Sequence, residues 1–167
     1  MGRLEKQKRV DIAINLFNKG KFYKNYDLII IGDGSQKDKL KSIAKSLNCD
    51  KYIKFIGHQN NPENWIKHAS LLLSTSDYEG FNMVIAEALL LGTKVVASNC
   101  EFGPNEIMVG SLKQFLIETN NTQESIQIIR KALQHYPRTE QFTNIIKDRF
   151  SPSMICKEYI ESVDKVL

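Results

Sequence analysis

Residues that would hold a metal ion or a disulfide framework are scarce in this sequence. Its three cysteines, Cys49, Cys100 and Cys156, lie far apart with no Cys-x-x-Cys spacing. An odd number at such spacing argues against both a paired disulfide scaffold and a thiolate zinc site. The three histidines, His58, His68 and His135, form no ligand pattern, so no metal is expected. No apolar run approaches the roughly 20 residues of a membrane-spanning helix. The opening MGRLEKQKRV lacks the apolar core of a secretion signal, and the expected location is cytoplasmic, with a peripheral position at the inner face of the membrane also open. Internal repeats, low-complexity tracts and linkers are also missing. The net charge of +4 would suit nucleic acid, anionic lipid or an anionic nucleotide. However, the lysines are scattered over polar helix faces and form no basic stripe interleaved with aromatics, so no nucleic-acid partner is expected.

What is present fits one ordinary domain spanning residues 1–167, since 42% hydrophobic and 25% charged residues are normal for a globular chain. After a Gly-Arg-Leu turn, Val10, Ala13, Ile14 and Phe17 mark one face of a helix that Gly20 is placed to cap. Residues 26–31, YDLIII, form a continuous apolar run of the kind found in parallel strands covered on both faces. Gly32-Asp33-Gly34 then turns the chain into a helix starting near Ser35, with Leu40, Ile43, Ala44 and Leu47 inward. Lacking a third glycine and following the wrong strand, this turn is by itself a weak match to a dinucleotide fingerprint. Further strands are predicted over 51–56, 69–74, 94–98 and, more weakly, 114–118, with Asn61-Pro62 opening a short helix that carries Trp65 and Ile66. Such alternation predicts an α/β fold with a doubly wound, Rossmann-like parallel sheet. From residue 122 to 167 the pattern is helical, with Ile126, Ile129 and Leu133 on one helix, and Phe142, Ile145 and Ile146 on the next. A final amphipathic helix capped at Ser151-Pro152 carries Met154, Ile155, Tyr159, Val163 and Val166, an apolar face suited to self-association.

The rest of the chain is arranged around residues 77–92, DYEGFNMVIAEALLLG. From Phe81 to Leu91 only Asn82 and Glu87 are polar, which predicts a helix buried nearly all round. A carboxylate there, Glu87, needs hydrogen-bond donors, and a vicinal diol would supply two. Glu79 and Gly80 stand just ahead of the helix, and the free N–H groups near Phe81, Asn82 and Met83 form an anion site.

Glu79 and Glu87, with seven residues between them in EGFNMVIAEA, resemble the two-glutamate signature of family 4 glycosyltransferases, retaining enzymes of the GT-B fold. Gly-Thr-Lys-Val-Val-Ala-Ser at 92–98, Gly-Pro-Asn-Glu-Ile at 103–107 and Gly-Arg-Leu at 2–4 strengthen the likeness. It covers essentially the whole chain but only the C-terminal, donor-binding half of such an enzyme. In the family a central strand precedes Gly-Arg-Leu, and here the chain begins at Met1.

The resemblance implies a nucleotide diphosphate sugar, most simply a UDP-sugar, as substrate with no separate cofactor. Arg3 and Lys8 match the cations that clasp the diphosphate, where they stabilise the charge of the leaving group without a metal. Glu79 would hold hydroxyls of the transferred sugar, and Glu87 the ribose diol. Gly80 and the backbone of Phe81, Asn82 and Met83 would meet the phosphates. Gly57, His58 and Gln59 match the loop that reads the base. The acceptor, a surface glycan or lipid-linked chain, would be bound by the N-terminal domain, so that the chain alone is expected to bind donor without transferring its sugar. A GT-B epimerase or phosphorylase and a non-catalytic nucleotide-binding or interaction module are the rival readings. A glycoside hydrolase is disfavoured, because two glutamates two turns apart on and beside one helix do not flank a scissile bond.

Overall fold

Every strand pairing among the described residues is parallel, as alternation of strands and helices requires. The computed structural model describes residues 1–100, 102–137, 150–151 and 153–154. Within these the order is α1 (Val10–Lys19), β1 (Leu28–Ile31), α2 (Lys37–Ser46), β2 (Ile53–Gly57), α3 (Pro62–His68), β3 (Leu72–Ser74), α4 (Met83–Leu90), β4 (Val95–Ser98), α5 (Pro104–Ile107), β5 (Leu116–Ile117) and α6 (Thr122–Gln134). The helix predicted around Phe142 and the final helix with Ile155, Tyr159, Val163 and Val166 lie outside the described residues. At the threshold of the latter, Ser151 Oγ accepts the Met154 N–H at 3.3 Å.

The expected single sheet is in two pieces, β1–β2 and β3–β4–β5. β1 and β3 face each other across a cavity lined by Leu28, Ile29, Leu72 and Leu73. Succession runs from β1 outward to β2 on one side and from β3 through β4 to β5 on the other. The gap is therefore the switch point of a doubly wound arrangement, where the crevice at the carboxyl ends of the strands is the ordinary ligand position. Helix α1 packs on α2 and α6, and α3 packs on α4.

Local chemistry explains where the observed boundaries depart from the periodicity. The central helix starts at Met83 rather than Phe81, because Asn82 sits in the left-handed region at φ 55° and ψ 67°. Only Leu116 and Ile117 of the expected last strand pair with β4, since Gly110–Phe115 wind as a 3-10 helix. Gly20 stays right-handed at φ −73°, and the following Lys21 takes the left-handed position instead. Asn121 caps α6, its Oδ1 accepting the Glu124 N–H at 3.2 Å.

The core is divided as the sheet is. One cluster joins Ile85 and Leu89 of α4 to Val95, Val96, Phe115, Ile126 and Ile129. The other gathers Ile14, Phe17, Ile30, Leu40 and Ala44. Helix α1 spans both, since Leu16 belongs to the first cluster while Ile14 and Phe17 belong to the second.

Tyr136 anchors the end of the described helical segment on β4. Its hydroxyl donates to the Val95 C=O at 3.2 Å and accepts the Val95 N–H at 3.1 Å, and its ring stacks on Phe115 with centroids 4.5 Å apart. Burial pushes the phenol up to about 12, above its ordinary 10.0. A raised folded pKa means that the folded state holds the proton longer than the unfolded chain. This contribution is complete below about pH 10 and is lost as pH rises toward 12. Tyr136→Phe should lower stability by about 1 kcal/mol at pH 8 in urea unfolding. That deficit should shrink between pH 10 and 12, whereas a deficit constant across the range would contradict the burial of a neutral phenol.

Candidate functional site

The N-terminal segment crosses the switch point and ties the two half-sheets together at their carboxyl ends. On the β1 side, the Gly2 N–H donates to the Ile31 C=O at 2.9 Å and the Leu4 N–H to the Asp33 C=O at 2.8 Å. On the β3 side, the Asp77 N–H donates to the Gln7 C=O at 2.9 Å, while Thr75 Oγ1 donates to the carbonyls of Lys8 and Arg9 at 3.2 and 2.9 Å. Arg9 Nη1 adds an ion pair to Asp77 at 2.9 Å. The glycines of the 32–34 turn make this approach feasible. A Cβ on Gly32, at φ +125°, would overlap the Gly2 carbonyl, and one on Gly34 would lie 2.7 Å from the Leu4 backbone.

This crossing delivers Lys8 to Glu79. Lys8 Nζ donates to both carboxylate oxygens, at 2.7 and 2.9 Å, and Ser76 Oγ donates to Oε1 at 2.5 Å. The Glu79 side chain is only 7% exposed, against 28% for Lys8, so a charged carboxylate is held largely away from water by a cation and a hydroxyl. Ser76 is itself braced from below, its carbonyl accepting Ser98 Oγ–H at 2.6 Å at the end of β4. Asn82 Nδ2 donates to Ser74 Oγ at 3.2 Å and fixes the turn into α4. Arg3, Lys8, Ser76, Glu79 and Asn82 share a small cavity of about 70 Å³.

The Gly-Pro-Asn-Glu-Ile segment has a mechanical part in this arrangement. Gly103, at φ +76°, packs so tightly on the Gly80 carbonyl that any Cβ would overlap it. Gly80 is thus held from behind, while a Cβ built on Gly80 would meet nothing within 4 Å. Just beyond it, the N–H groups of Met83 and Val84 precede the first bond of α4, from the Ile85 N–H to the Asn82 C=O at 3.0 Å. These first-turn amides give the helix end its partial positive charge.

The remaining predicted residues are Arg3, Glu87, Phe81 and the 57–59 loop. Arg3 is exposed and makes no hydrogen bond or ion pair with a described residue. Glu87 is half-buried, and its carboxylate accepts no hydrogen bond from a described residue. The expected all-round burial of its helix is not realised: Met83, one turn before it, is 60% exposed and Leu90, nearly one turn after it, 41%. Water can therefore solvate Glu87, and no protein donor is required. Gly57 ends β2 and accepts the Gly32 N–H at 2.8 Å, while Gln59 Nε2 donates to the carbonyls of Ile56 and His58. Neither Glu87 nor the 57–59 loop lines the cavity that holds Lys8 and Glu79. Phe81 packs edge-on against Phe150, with centroids 4.7 Å apart. Gln7, in the basic opening stretch, was not anticipated, and neither were Thr75, Ser76, Asp77 and Ser98. The signal for the last four was small polar residues directly after two apolar runs, LLLS-TSD and VVAS. Among the described residues no group of three or more His, Cys, Asp or Glu could hold a metal ion, and no helix is long and apolar enough to cross a membrane.

Residues 1–149 match the family described as Glycosyl transferases group 1. The chain is 35% identical over 113 residues to an uncharacterized glycosyltransferase of Methanocaldococcus jannaschii, covering 67% of this chain and 28% of that protein. It is 27% identical over 149 residues to the N-acetylgalactosamine-N,N'-diacetylbacillosaminyl-diphospho-undecaprenol 4-alpha-N-acetylgalactosaminyltransferase of Campylobacter jejuni, covering 89% of this chain and 40% of that one. In fold it matches a mutant of Staphylococcus aureus TarM in complex with fondaparinux, alpha-GlcNAc-glycerol and UDP, with a TM-score of 0.86 at 23% identity over 96% of this chain and 34% of the other. The chain thus spans well under half the length of each of these proteins. On the family match and the shared architecture, this chain belongs to the group 1 glycosyl transferases and has the fold of a GT-B domain.

Proposed function

We propose that the chain is the donor-binding half of a retaining, family 4 glycosyltransferase that takes a sugar from a nucleoside diphosphate, uridine diphosphate above all, and gives it to a surface glycan or lipid-linked acceptor. The observation that carries this reading is the Lys8–Glu79–Ser76 cluster at the switch point, beside the amino end of α4 and at the carboxyl ends of β1 and β3. A diphosphate laid against that helix end meets the amides of Met83 and Val84, with Lys8 and Arg3 as cations. As the bond from the anomeric carbon to the diphosphate breaks, the departing oxygen takes the electron pair, and fixed cations stabilise the new charge. Glu79, held by Lys8 and Ser76, stands as the carboxylate for the hydroxyls of the sugar and for the developing positive charge on its ring. Glu87, which accepts no hydrogen bond from a described residue, is the carboxylate for the two ribose hydroxyls, and the 57–59 loop offers backbone groups to the base. UDP bound to TarM and the glycosyl transfer named for the Campylobacter jejuni relative support the donor and acceptor classes. On this reading the acceptor cleft belongs to a second domain, and residues 1–167 bind donor without transferring it.

The two glutamates should separate in calorimetric titration. Glu87→Gln should weaken UDP itself by at least about tenfold, the value of one charge-assisted hydrogen bond. Glu79→Gln should leave UDP nearly unchanged and weaken only a matched UDP-sugar. Equal losses for the bare nucleotide in both variants would contradict the assignment.

Because protein cations and the helix end provide the positive field, UDP affinity should be the same in excess chelator as in millimolar magnesium or manganese. An obligatory divalent ion would overturn the electrostatic reading.

A further inference from the structure

Of the two cations assigned to the diphosphate, one is anchored and the other is not. Lys8 is held by Glu79 at 2.7 Å, whereas Arg3 is exposed and pairs with no described residue. A second carboxylate nevertheless stands close to Arg3. Leu4 is 2% exposed, with Arg3 exposed before it and Glu5 half-buried after it, so the extended chain puts the side chains of Arg3 and Glu5 on one face. Glu5 itself has extended backbone, at φ −107° and ψ 162°. An unrestrained carboxylate beside an unpaired guanidinium would close on it, and that pair would cancel the charge on offer to a diphosphate. The turn ahead of α2 prevents the closure. The Ser35 N–H donates to Glu5 Oε1 at 3.0 Å and Ser35 Oγ donates to Oε2 at 2.7 Å, so both carboxylate oxygens are engaged. These two bonds, the N–H first, hold the Glu5 carboxyl below its usual range, and the charge of Arg3 adds less than either. The Gln36 N–H, donating to the Leu4 C=O at 2.9 Å, fixes the turn against the crossing segment, and Lys37 is committed to Asp33 at 2.6 Å. Glu5 is thereby kept outside the small cavity that Arg3 lines.

We propose that Ser35 is a positioning residue for donor binding, which holds the Glu5 carboxylate off Arg3 and so keeps the guanidinium available to the diphosphate. This role rests on the proposed function, in which Arg3 is a cation for the diphosphate. Ser35 touches no substrate and acts only through Glu5. Its loss should therefore be reversed by removing the charge of Glu5, which no purely structural role of the turn would allow.

The test is calorimetric titration of UDP into the unaltered chain and into Arg3→Ala, Ser35→Pro, Glu5→Gln and the Ser35→Pro, Glu5→Gln double variant. Ser35→Pro removes both donors at once. The Lys37 N–H donates to the Gly34 C=O at 3.2 Å, so Ser35 is the second residue of a turn, a position that proline favours. This variant should bind UDP about threefold more weakly at low salt, the size of one exposed ion pair, and the loss should shrink in about 0.5 M salt. Adding Glu5→Gln should restore the affinity, and Glu5→Gln alone should not weaken it. Ser35→Ala, which keeps the N–H, should give a smaller loss with the same rescue, and it decides the matter if proline disturbs the fold. Loss with rescue in either Ser35 background supports the proposal. If Arg3→Ala weakens UDP while both Ser35 variants bind normally, or if Glu5→Gln restores nothing, the proposal is overturned and the donor site stands. Unchanged affinity in Arg3→Ala would overturn the assignment of Arg3 and this proposal with it.

Discussion

The crossing of residues 2–9 over the switch point is the constraint on which the rest of the structure depends. Two half-sheets with no direct strand pairing between them among the described residues are joined by this segment at the carboxyl ends. Helix α1 then spans both halves of the core, and Arg130 Nη2 reaches the Gly20 C=O at 3.1 Å to join α6 to the end of that helix. The same backbone that closes the fold carries Arg3 and Lys8. Position of the cations and integrity of the domain are therefore one problem, and the glycines at 32 and 34 solve it by letting two backbones approach where any side chain would intrude.

Charge is managed in the site by enclosing one carboxylate and leaving the other open. Glu79 is shielded and neutralised by Lys8 and steadied by Ser76, an arrangement that holds a negative charge in place without a bound ligand. Glu87 lies on a half-exposed stripe of α4 with its acceptor capacity unused by the described protein. One carboxylate is preorganised and the other is available, which is the division expected when one faces the reacting sugar and the other a ribose. Behind them the 103–107 loop supports Gly80 by backbone contact. Its sequence, Gly-Pro-Asn-Glu-Ile, thus serves the site through shape.

Much of the fold was legible in the residues. Apolar runs such as YDLIII and KVVAS marked parallel strands covered on both faces, and each strand core was found where the pattern put it. Edges were less legible, because a strand ends where its partner ends and a helix where one residue turns left-handed, as Asn82 does. The division of the sheet was hidden for a related reason: pairing across β1 and β3 depends on a neighbouring strand, which periodicity within either strand does not report. For the site, Lys8 and Glu79, far apart in the chain, meet in one cavity, which Glu87 does not line. The burial of Glu87 was overstated, since an apolar sequence such as MVIAEALL reads the same whether its last stripe is covered or exposed. Ser76 and Ser98 escaped notice because single hydroxyls after a strand gain meaning only when a carboxylate is seen to lie against them.

The central claim is that a nucleoside diphosphate lies along the carboxyl edge from the 57–59 loop to the amino end of α4. Amide chemical-shift mapping on isotope-labelled protein titrated with UDP to millimolar concentration tests this most directly. The predicted result is saturable shifts concentrated at Gly57, His58, Gln59, Met83 and Val84, with smaller ones at Arg3 and Lys8. Shifts confined to the walls of the β1–β3 cavity, or none at millimolar UDP, would contradict it.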